Sequence, residues 1–283
     1  MITVAIAAYI EPKIVNTLKN ILSQGIKERF EIIIVTPDKA TAELAKSVHS
    51  DKIKVILESK REGKPAALNK ILKNSKGDII IFTDADVIIE EGAINKILQH
   101  FKEKNVGLVS SHLMPTNPPS NKFGFWANLL YDQGHQIRLN NPFFASGNLF
   151  AIRNVVDSIP QNALVDDFVI AKEIQKRGLN AVYEPGAKVY VKFPTNISDF
   201  LKQRRRTFAG YSQIKQWYGS TERSLSSEAK PKAVLSYCKK PIHYVWLAEL
   251  ICCRLMAWWL AFYDIKIKKK SILELWEVAE SSK

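Results

Sequence analysis

The chain has 283 residues, with 41 Lys and Arg against 28 Asp and Glu, a formal net charge of +13. Hydrophobic residues are 46% and charged residues 24% of the total, which excludes a disordered or fibrous protein. Three cysteines, two of them adjacent at Cys252 and Cys253, exclude a disulfide scaffold and a Cys-x-x-Cys zinc site and fit a reducing compartment.

Met1 runs straight into an apolar stretch with no basic leader, so no signal peptide is expected. In the first half, short β-branched runs at Ile2–Ala8, Phe30–Thr36, Ile53–Glu58, Ile79–Asp84 and Val106–Leu113 read as buried strands. Between them, Ile14–Leu22, Thr41–Val48, Pro65–Lys73 and Ala93–Phe101 place apolar residues at helical spacing. Strand alternating with helix predicts a mostly parallel sheet with helices on both faces, whose ligands sit at the carboxyl ends of strands.

The second half is less regular. Pro115–Ser120 reads as a loop, Lys122–Leu139 as a helix, Ala145–Ala151 as a strand, and Asp167–Arg177 as a helix closed by Gly178. Ile197–Trp217 reads as a helix carrying Gln203-Arg204-Arg205-Arg206, followed by a polar linker with Ser224–Ser227. Residues 242–263 are apolar and aromatic, but Glu249 and Arg254 interrupt them and lysines flank both ends. A membrane-interfacial helix is the leading reading; a spanning segment and a core or dimer helix are the alternatives.

Asp84-Ala85-Asp86 closes the apolar run Ile79–Thr83. Side chains alternate along a strand, so carboxylates one residue apart can leave its end on one side. Such a pair can hold Mg²⁺ or Mn²⁺ and, through it, a diphosphate; a turn with a helix N-cap is the plainer alternative. Ser146-Gly147-Asn148 contains a glycine that permits close backbone approach or marks a bulge.

These motifs have a familiar order. Ala8-Tyr9-Ile10-Glu11, Ile33–Asp38, Glu62-Gly63-Lys64-Pro65-Ala66-Ala67-Leu68-Asn69, Asp84-Ala85-Asp86, Val165-Asp166-Asp167 and Gln203-x-x-Arg206 together span residues 1–207. The chain resembles an inverting nucleotide-sugar glycosyltransferase of family 2, similar to membrane-associated, lipid-glycosylating members. Ile10 stands where the family has Asn, Asp166 where it has Glu, and Thr207 where it has Trp. The resemblance implies an α/β fold: a GT-A-like, Rossmann-related, mostly parallel sheet flanked by helices, with a C-terminal helical extension. It implies a catalytic domain over 1–218, a basic polar linker over 219–240 and an aromatic membrane-associating segment over 241–283.

The same resemblance assigns roles. Tyr9, Glu11 and Asp38 would line the nucleotide base and ribose, and Lys64 would stay near the donor phosphates. Asp86, with Asp84, would bind the divalent metal and the donor, with Gln203 and Arg206 reaching the diphosphate. Asp167 would be the general base that deprotonates the acceptor hydroxyl, with Ser146, Gly147 and Asp166 on the acceptor side. Asp166 would orient Asp167 or cap its helix, and both carboxylates also suit a helix N-terminus on electrostatic grounds alone.

Residues 192–240 hold 11 basic and 3 acidic side chains, a cluster suited to an anionic partner. The expectation is a nucleotide-sugar donor, UDP- or GDP-linked, a lipid or polyprenyl-phosphate acceptor, and a membrane surface on the cytoplasmic side, contacted as a peripheral or monotopic protein. A soluble or protein acceptor is the alternative. Nucleic acid is not expected, although Phe208, Tyr211, Trp217 and Tyr218 follow the arginines. A nucleotidyltransferase would want a glycine-rich phosphate loop, and Ala5–Tyr9 contains no glycine.

Overall fold

A computed structural model describes residues 1–219, 234–277 and 279–282. They form two compact units: Met1–Met114 with Arg138–Gln161 and Asp166–Val191, and Pro115–Ile137 with Asn162–Val165 and Lys192–Lys283.

The first unit is built on eight strands, β1 (Ile2–Ala7), β2 (Phe30–Thr36), β3 (Ile53–Leu57), β4 (Ile79–Thr83), β5 (Ile88–Ile89), β6 (Val106–Pro115), β7 (Leu149–Arg153) and β8 (Asn180–Val191). Their order is β3-β2-β1-β4-β7-β6-β8-β5. The expected parallel sheet covers β3-β2-β1-β4. Beyond it the β4–β7, β7–β6 and β8–β5 pairs are antiparallel, so the sheet as a whole is mixed. The Ile and Val runs of β1 and β2 are buried on both faces, as central strands require; each such side chain contributes about 1.5–3 kcal/mol on burial.

Helices α1 (Ile14–Leu22), α2 (Lys39–Lys46), α3 (Lys64–Asn74) and α4 (Ala93–Gln99) connect the strands, and α6 (Asp166–Lys176) precedes β8. Helix α1 forms where its apolar spacing predicts, burying Ile14, Thr17, Leu18 and Ile21. Asp38 caps α2, accepting from the Ala40 and Thr41 N–H groups at 3.2 and 3.1 Å. Gly63 precedes α3 at φ +97°, a conformation few residues other than glycine adopt. Asn69 is half-buried on α3. Its amide donates to the Ile159 carbonyl and accepts the Ile159 N–H, both at 2.8 Å.

One expectation needs correction, and one strand has no counterpart in the sequence reading. The strand expected over Ala145–Ala151 begins only at Leu149, because the Ser146 hydroxyl turns onto the Asn148 side chain at 3.3 Å within a local loop. The strand Asn180–Val191 carries no clean alternation, since Pro185 and Gly186 interrupt it, and sequence pattern misses it.

Ile10 follows β1 at φ +50° with its side chain 52% exposed. A β-branched residue is strained there, while its N–H supports the Asp38 carboxylate. Asn tolerates this conformation and nothing buried is lost, so Ile10→Asn is expected to stabilise the fold by about 1 kcal/mol. Urea unfolding measures it; a destabilised variant would refute the strain argument.

The second unit is helical: most of α5 (Lys122–Asn140), with α7 (Ile197–Tyr218), α8 (Pro241–Phe262) and α9 (Ile272–Leu275). Gly219 ends α7 at φ +74°; the rest of the expected linker up to residue 233 lies outside the described residues. Phe125, Trp126, Leu129, Phe193, Phe200, Leu247 and Leu250 form its core. The Trp126 indole N–H donates to the Trp246 carbonyl at 2.7 Å, satisfying the one polar atom of that buried ring.

Asp199, buried in the first turn of α7, accepts hydrogen bonds from the Ser281 N–H at 2.9 Å, Asn196 at 3.1 Å and Lys202 at 3.1 Å. Burial alone would raise its pKa. The bonds from Ser281, Asn196 and Lys202 outweigh burial and hold it at about 2, against 3.8 for the ordinary group. A lowered folded-state value means this contribution is complete above pH 3.8 and is lost as pH falls toward 2. Asp199→Asn is therefore expected to remove about 2 kcal/mol of acid-labile stability, read as a flatter stability profile than wild type over that window.

Candidate active site

The parallel strands β1, β2 and β4 all finish at one edge of the sheet, so Tyr9, Asp38 and Asp84 emerge together. Strand β7 runs the other way beside β4, with Thr83 opposite Leu149. The loop entering β7, Ser146–Asn148, therefore arrives at that same edge. Sequence order alone does not place it there; one antiparallel pairing does.

A charged cluster occupies this edge. The Lys64 ammonium lies 2.9 Å from Asp84 Oδ1 and 3.5 Å from Asp166 Oδ2. The Asn148 amide donates to the other Asp84 oxygen at 2.9 Å. Gly147 faces the same group: a Cβ built on it would sit 3.7 Å from the Lys64 ammonium and 3.9 Å from Asp167 Oδ2. Lys64, Asp84, Ser146, Gly147, Asp166 and Asp167 are thus brought together from four separate stretches of chain.

Adjacent in sequence, the two aspartates of α6 have different surroundings. Asp166 is buried, and burial pushes its carboxyl up; Lys64 opposes this, while Asp167 and Asp84 add to it. Asp167 is half-buried and its Oδ1 accepts the Phe168 N–H at 2.8 Å. Asp166 is the inward member of the pair and Asp167 the accessible one.

On the β1–β2 side, the Arg61 guanidinium lies 4.3 Å over the Tyr9 ring. Glu11 is buried; its N–H donates to the Thr41 hydroxyl at 2.9 Å, and its Oε1 accepts the Lys13 N–H at 3.2 Å. The Thr41 hydroxyl donates in turn to Asp38. That bond is the main cause of the lowered Asp38 pKa, assisted by N–H groups of Thr41, Ala40 and Ile10 and opposed by burial. Tyr9, Glu11 and Asp38 therefore stand on a preorganised turn.

Asp86 is half-buried in the turn after Asp84. Thr17 of α1 fixes this turn, its hydroxyl bonding the Ala85 carbonyl at 2.8 Å and reaching the Val87 carbonyl at 3.3 Å. Among the described residues no group of three or more His, Cys, Asp or Glu is arranged to hold a metal. Two carboxylates are nonetheless the donor set a hard cation uses when substrate phosphates supply the remaining oxygens.

Gln203 and Arg206 belong to the second unit. The Gln203 amide donates to the Ser282 hydroxyl at 3.1 Å, and the Arg206 guanidinium lies 3.9 Å over the Trp276 ring. An aromatic face thus meets this arginine from Trp276 rather than from position 207, where the Thr207 hydroxyl bonds the Gln203 carbonyl at 2.9 Å. Sequence reasoning named Asn148 only as part of the Ser146–Asn148 motif, without a role of its own, and missed Arg61 and Thr41. Arg61 had a signal in its place three residues before Lys64; Thr41 had none.

A sheet of this order, with carboxylates and a lysine gathered at its carboxyl edge and helices on its faces, defines a GT-A-like glycosyltransferase. The sequence matches glycosyl transferase family 2 over residues 3–164, more than half its length, and the chain belongs to that family. It is 27% identical over 230 residues to poly-beta-1,6-N-acetyl-D-glucosamine synthase of Staphylococcus aureus, covering 75% of this chain and 55% of that protein. Over 105 residues it is 28% identical to an N-acetylglucosaminyltransferase of Bradyrhizobium elkanii, 35% of this chain and 58% of that one. The chain thus spans little more than half the length of these curated relatives. Its fold is similar to a mannosyltransferase from Pyrobaculum calidifontis in complex with GDP-Man and Mn2+, at TM-score 0.68 and 18% identity over 95% of this chain and 88% of that one. Mannosyl-3-phosphoglycerate synthase from Rubrobacter xylanophilus matches at TM-score 0.52 and 16% identity, over 79% and 77% of the two chains.

Proposed function

We propose that this glycosyltransferase moves a sugar, with inversion, from a UDP- or GDP-linked donor to a membrane lipid or polyprenyl-phosphate acceptor. The observation that carries the reading is the cluster of Lys64, Asp84, Asp166, Asp167 and Gly147 at one sheet edge. Asp167 is the general base: it is the accessible carboxylate of its pair, and its Oδ2 lies 3.9 Å from where a Cβ on Gly147 would sit. Asp166 holds Lys64 in place and, with Ser146 and Gly147, belongs to the acceptor side. Tyr9, Glu11 and Asp38 receive the nucleoside, Lys64 the phosphates, and Gln203 with Arg206 the donor-facing role their motif implies.

Asp86 and Asp84 are the residues that would hold Mg²⁺ or Mn²⁺. When bound, such a cation neutralises negative charge gathering on the leaving diphosphate. The protein's own part is to orient the donor, to keep Lys64 near its phosphates and to take a proton at Asp167.

Helix α8 supports a peripheral or monotopic attachment. It is the stretch long and apolar enough to cross a membrane among the described residues. Its outward side chains include Ile242, Val245, Ile251, Leu255, Trp258 and Trp259, all at least 45% exposed. Helix α7, on which it packs, carries Lys202, Arg204, Arg205, Arg206 and Lys215. Such a partner cannot enter hydrocarbon, so α8 lies on the bilayer rather than through it. Residues 1–218 are then the catalytic part and 241–283 the membrane-associating part, at the cytoplasmic face, where the free thiols of Cys238, Cys252 and Cys253 are at home.

The test is a panel of sugar nucleotides, UDP-GlcNAc and GDP-mannose included, scored with Mn²⁺ or Mg²⁺ by thermal shift. Radiolabelled transfer to lipid extracts and to soluble saccharides follows. Donor-dependent stabilisation and label in the organic phase are expected. No stabilisation by any donor, or label in soluble acceptors alone, overturns the reading.

A further inference from the structure

Asp199, Gln203, Arg206 and Ala209 follow one another along α7 at helical spacing, which sets all four on one side of the helix. Residues 275–277 and 279–282 meet them in reverse order. The Ser281 N–H donates to Asp199 at 2.9 Å, and the Gln203 amide donates to the Ser282 hydroxyl at 3.1 Å. The Arg206 guanidinium lies 3.9 Å over the Trp276 ring, and Leu275 is buried with Ala209, Leu164 and Ala261. This segment therefore runs antiparallel to α7, along the side that carries Gln203 and Arg206.

Both ends of the segment are fastened. Trp276 packs with Phe208 and Ile265 against the cluster that buries Leu275. At the other end the Ser281 hydroxyl accepts the Thr195 N–H at 3.1 Å, just before α7 begins. The ring beside Arg206 is thus held by contacts on either side of it in the chain.

The neighbouring Arg205 is engaged in another way: its Nε donates to Asp264 Oδ2 at 3.0 Å, and Glu277 lies 3.9 Å from it. A carboxylate takes up the N–H groups of a guanidinium. A ring takes up only its face, while all five N–H groups point outward in the plane. Stacking therefore fixes the plane of the fork without using its donors. That lowers the ordering cost when a phosphate is gripped at two points.

We propose that this segment presets the Gln203 and Arg206 pair for the donor diphosphate, with Trp276 as the positioning residue of Arg206. Trp276 acts through Arg206 and does not itself meet the donor; Ser282 fixes the Gln203 amide in the same way. The proposal rests on the donor-facing role given to Gln203 and Arg206 above.

The experiment is calorimetric titration of the full chain with UDP and with GDP, each with Mn²⁺. The proteins are wild type, Trp276→Leu, Arg206→Met and the double variant. Wild type is expected to bind one of the two nucleotides. Arg206→Met should weaken that binding by about tenfold or more, through loss of charge-assisted bonds. Trp276→Leu should weaken it by about fivefold, because the fork must then be ordered on binding. The double variant should bind as Arg206→Met does, since the ring has no guanidinium left to orient. Trp276→Phe keeps a weaker ring and should fall between wild type and Trp276→Leu. It carries the same cycle if the leucine variant does not fold.

Wild-type affinity in both Trp276 variants overturns the positioning role. So does a full second loss in the double variant, because the tryptophan would then support the fold without acting through Arg206. In either case the donor reading stands. Wild-type affinity in Arg206→Met removes the donor-facing role of that arginine and this inference with it. If wild type binds neither nucleotide, the donor reading itself falls.

Discussion

Asp167→Asn is expected to lower kcat by about a thousandfold and to leave donor affinity nearly unchanged, the largest single-residue effect expected on turnover. Asparagine has the same shape and can still accept the Phe168 N–H at Oδ1, so the first turn of α6 keeps its geometry. What disappears is the capacity to take a proton, worth about 10²–10⁴ in rate for a positioned base; a thousandfold is about 4 kcal/mol of barrier. Initial rates with saturating donor, beside thermal shift with the same donor, separate the two quantities. Asp166→Asn is the companion: buried and bonded to Lys64, it should cost more stability than turnover. Equal loss of donor binding in Asp167→Asn, or turnover within tenfold of wild type, would remove Asp167 from the role of base.

Much of this site is visible in sequence because strand ends are visible. Ile79–Thr83 is an apolar run that stops at Asp84, and a parallel α/β reading of the sequence puts Tyr9, Asp38 and Asp84 at one edge, where the strand pairing places them. Lys64 follows by the same logic, since α3 begins right after the turn that leaves β3. The contacts made by Asn148 are different. They depend on β7 running antiparallel beside β4, and no local pattern in Leu149–Arg153 states its direction. Strand β8 hides behind Pro185 and Gly186, which argue against a strand locally and are overridden by its pairing in the sheet.

Charge was harder to interpret than position. The basic excess of residues 192–240 reads as one property, yet the structure divides it. Arg205 serves Asp264, Lys202 serves Asp199, Arg206 lies on Trp276, and Arg204 lies against the rings of Phe193 and Phe200. Composition counts such residues alike; only packing shows which group each of them meets.

Lys64→Met tests whether the cluster's lysine is structural, donor-binding or both. Its ammonium is the counter-charge of Asp84 and Asp166, with side-chain exposures of 18%, 28% and 8% for the three. Removing one partner of a buried pair costs about 3–5 kcal/mol. The partial exposure of Asp84 lets water recover some of this, so about 3 kcal/mol is expected, a fall in Tm of about 5–10 °C. Donor binding should fall as well, because a diphosphate would then approach three carboxylates with no cation from the lysine. The double variant Lys64→Met with Asp166→Asn separates these causes. It removes the buried carboxylate that lost its partner, so Tm should recover most of the way. Donor binding should stay lost if Lys64 meets the phosphates. Recovery of both would make Lys64 a prop for Asp166 and Asp84 and nothing more.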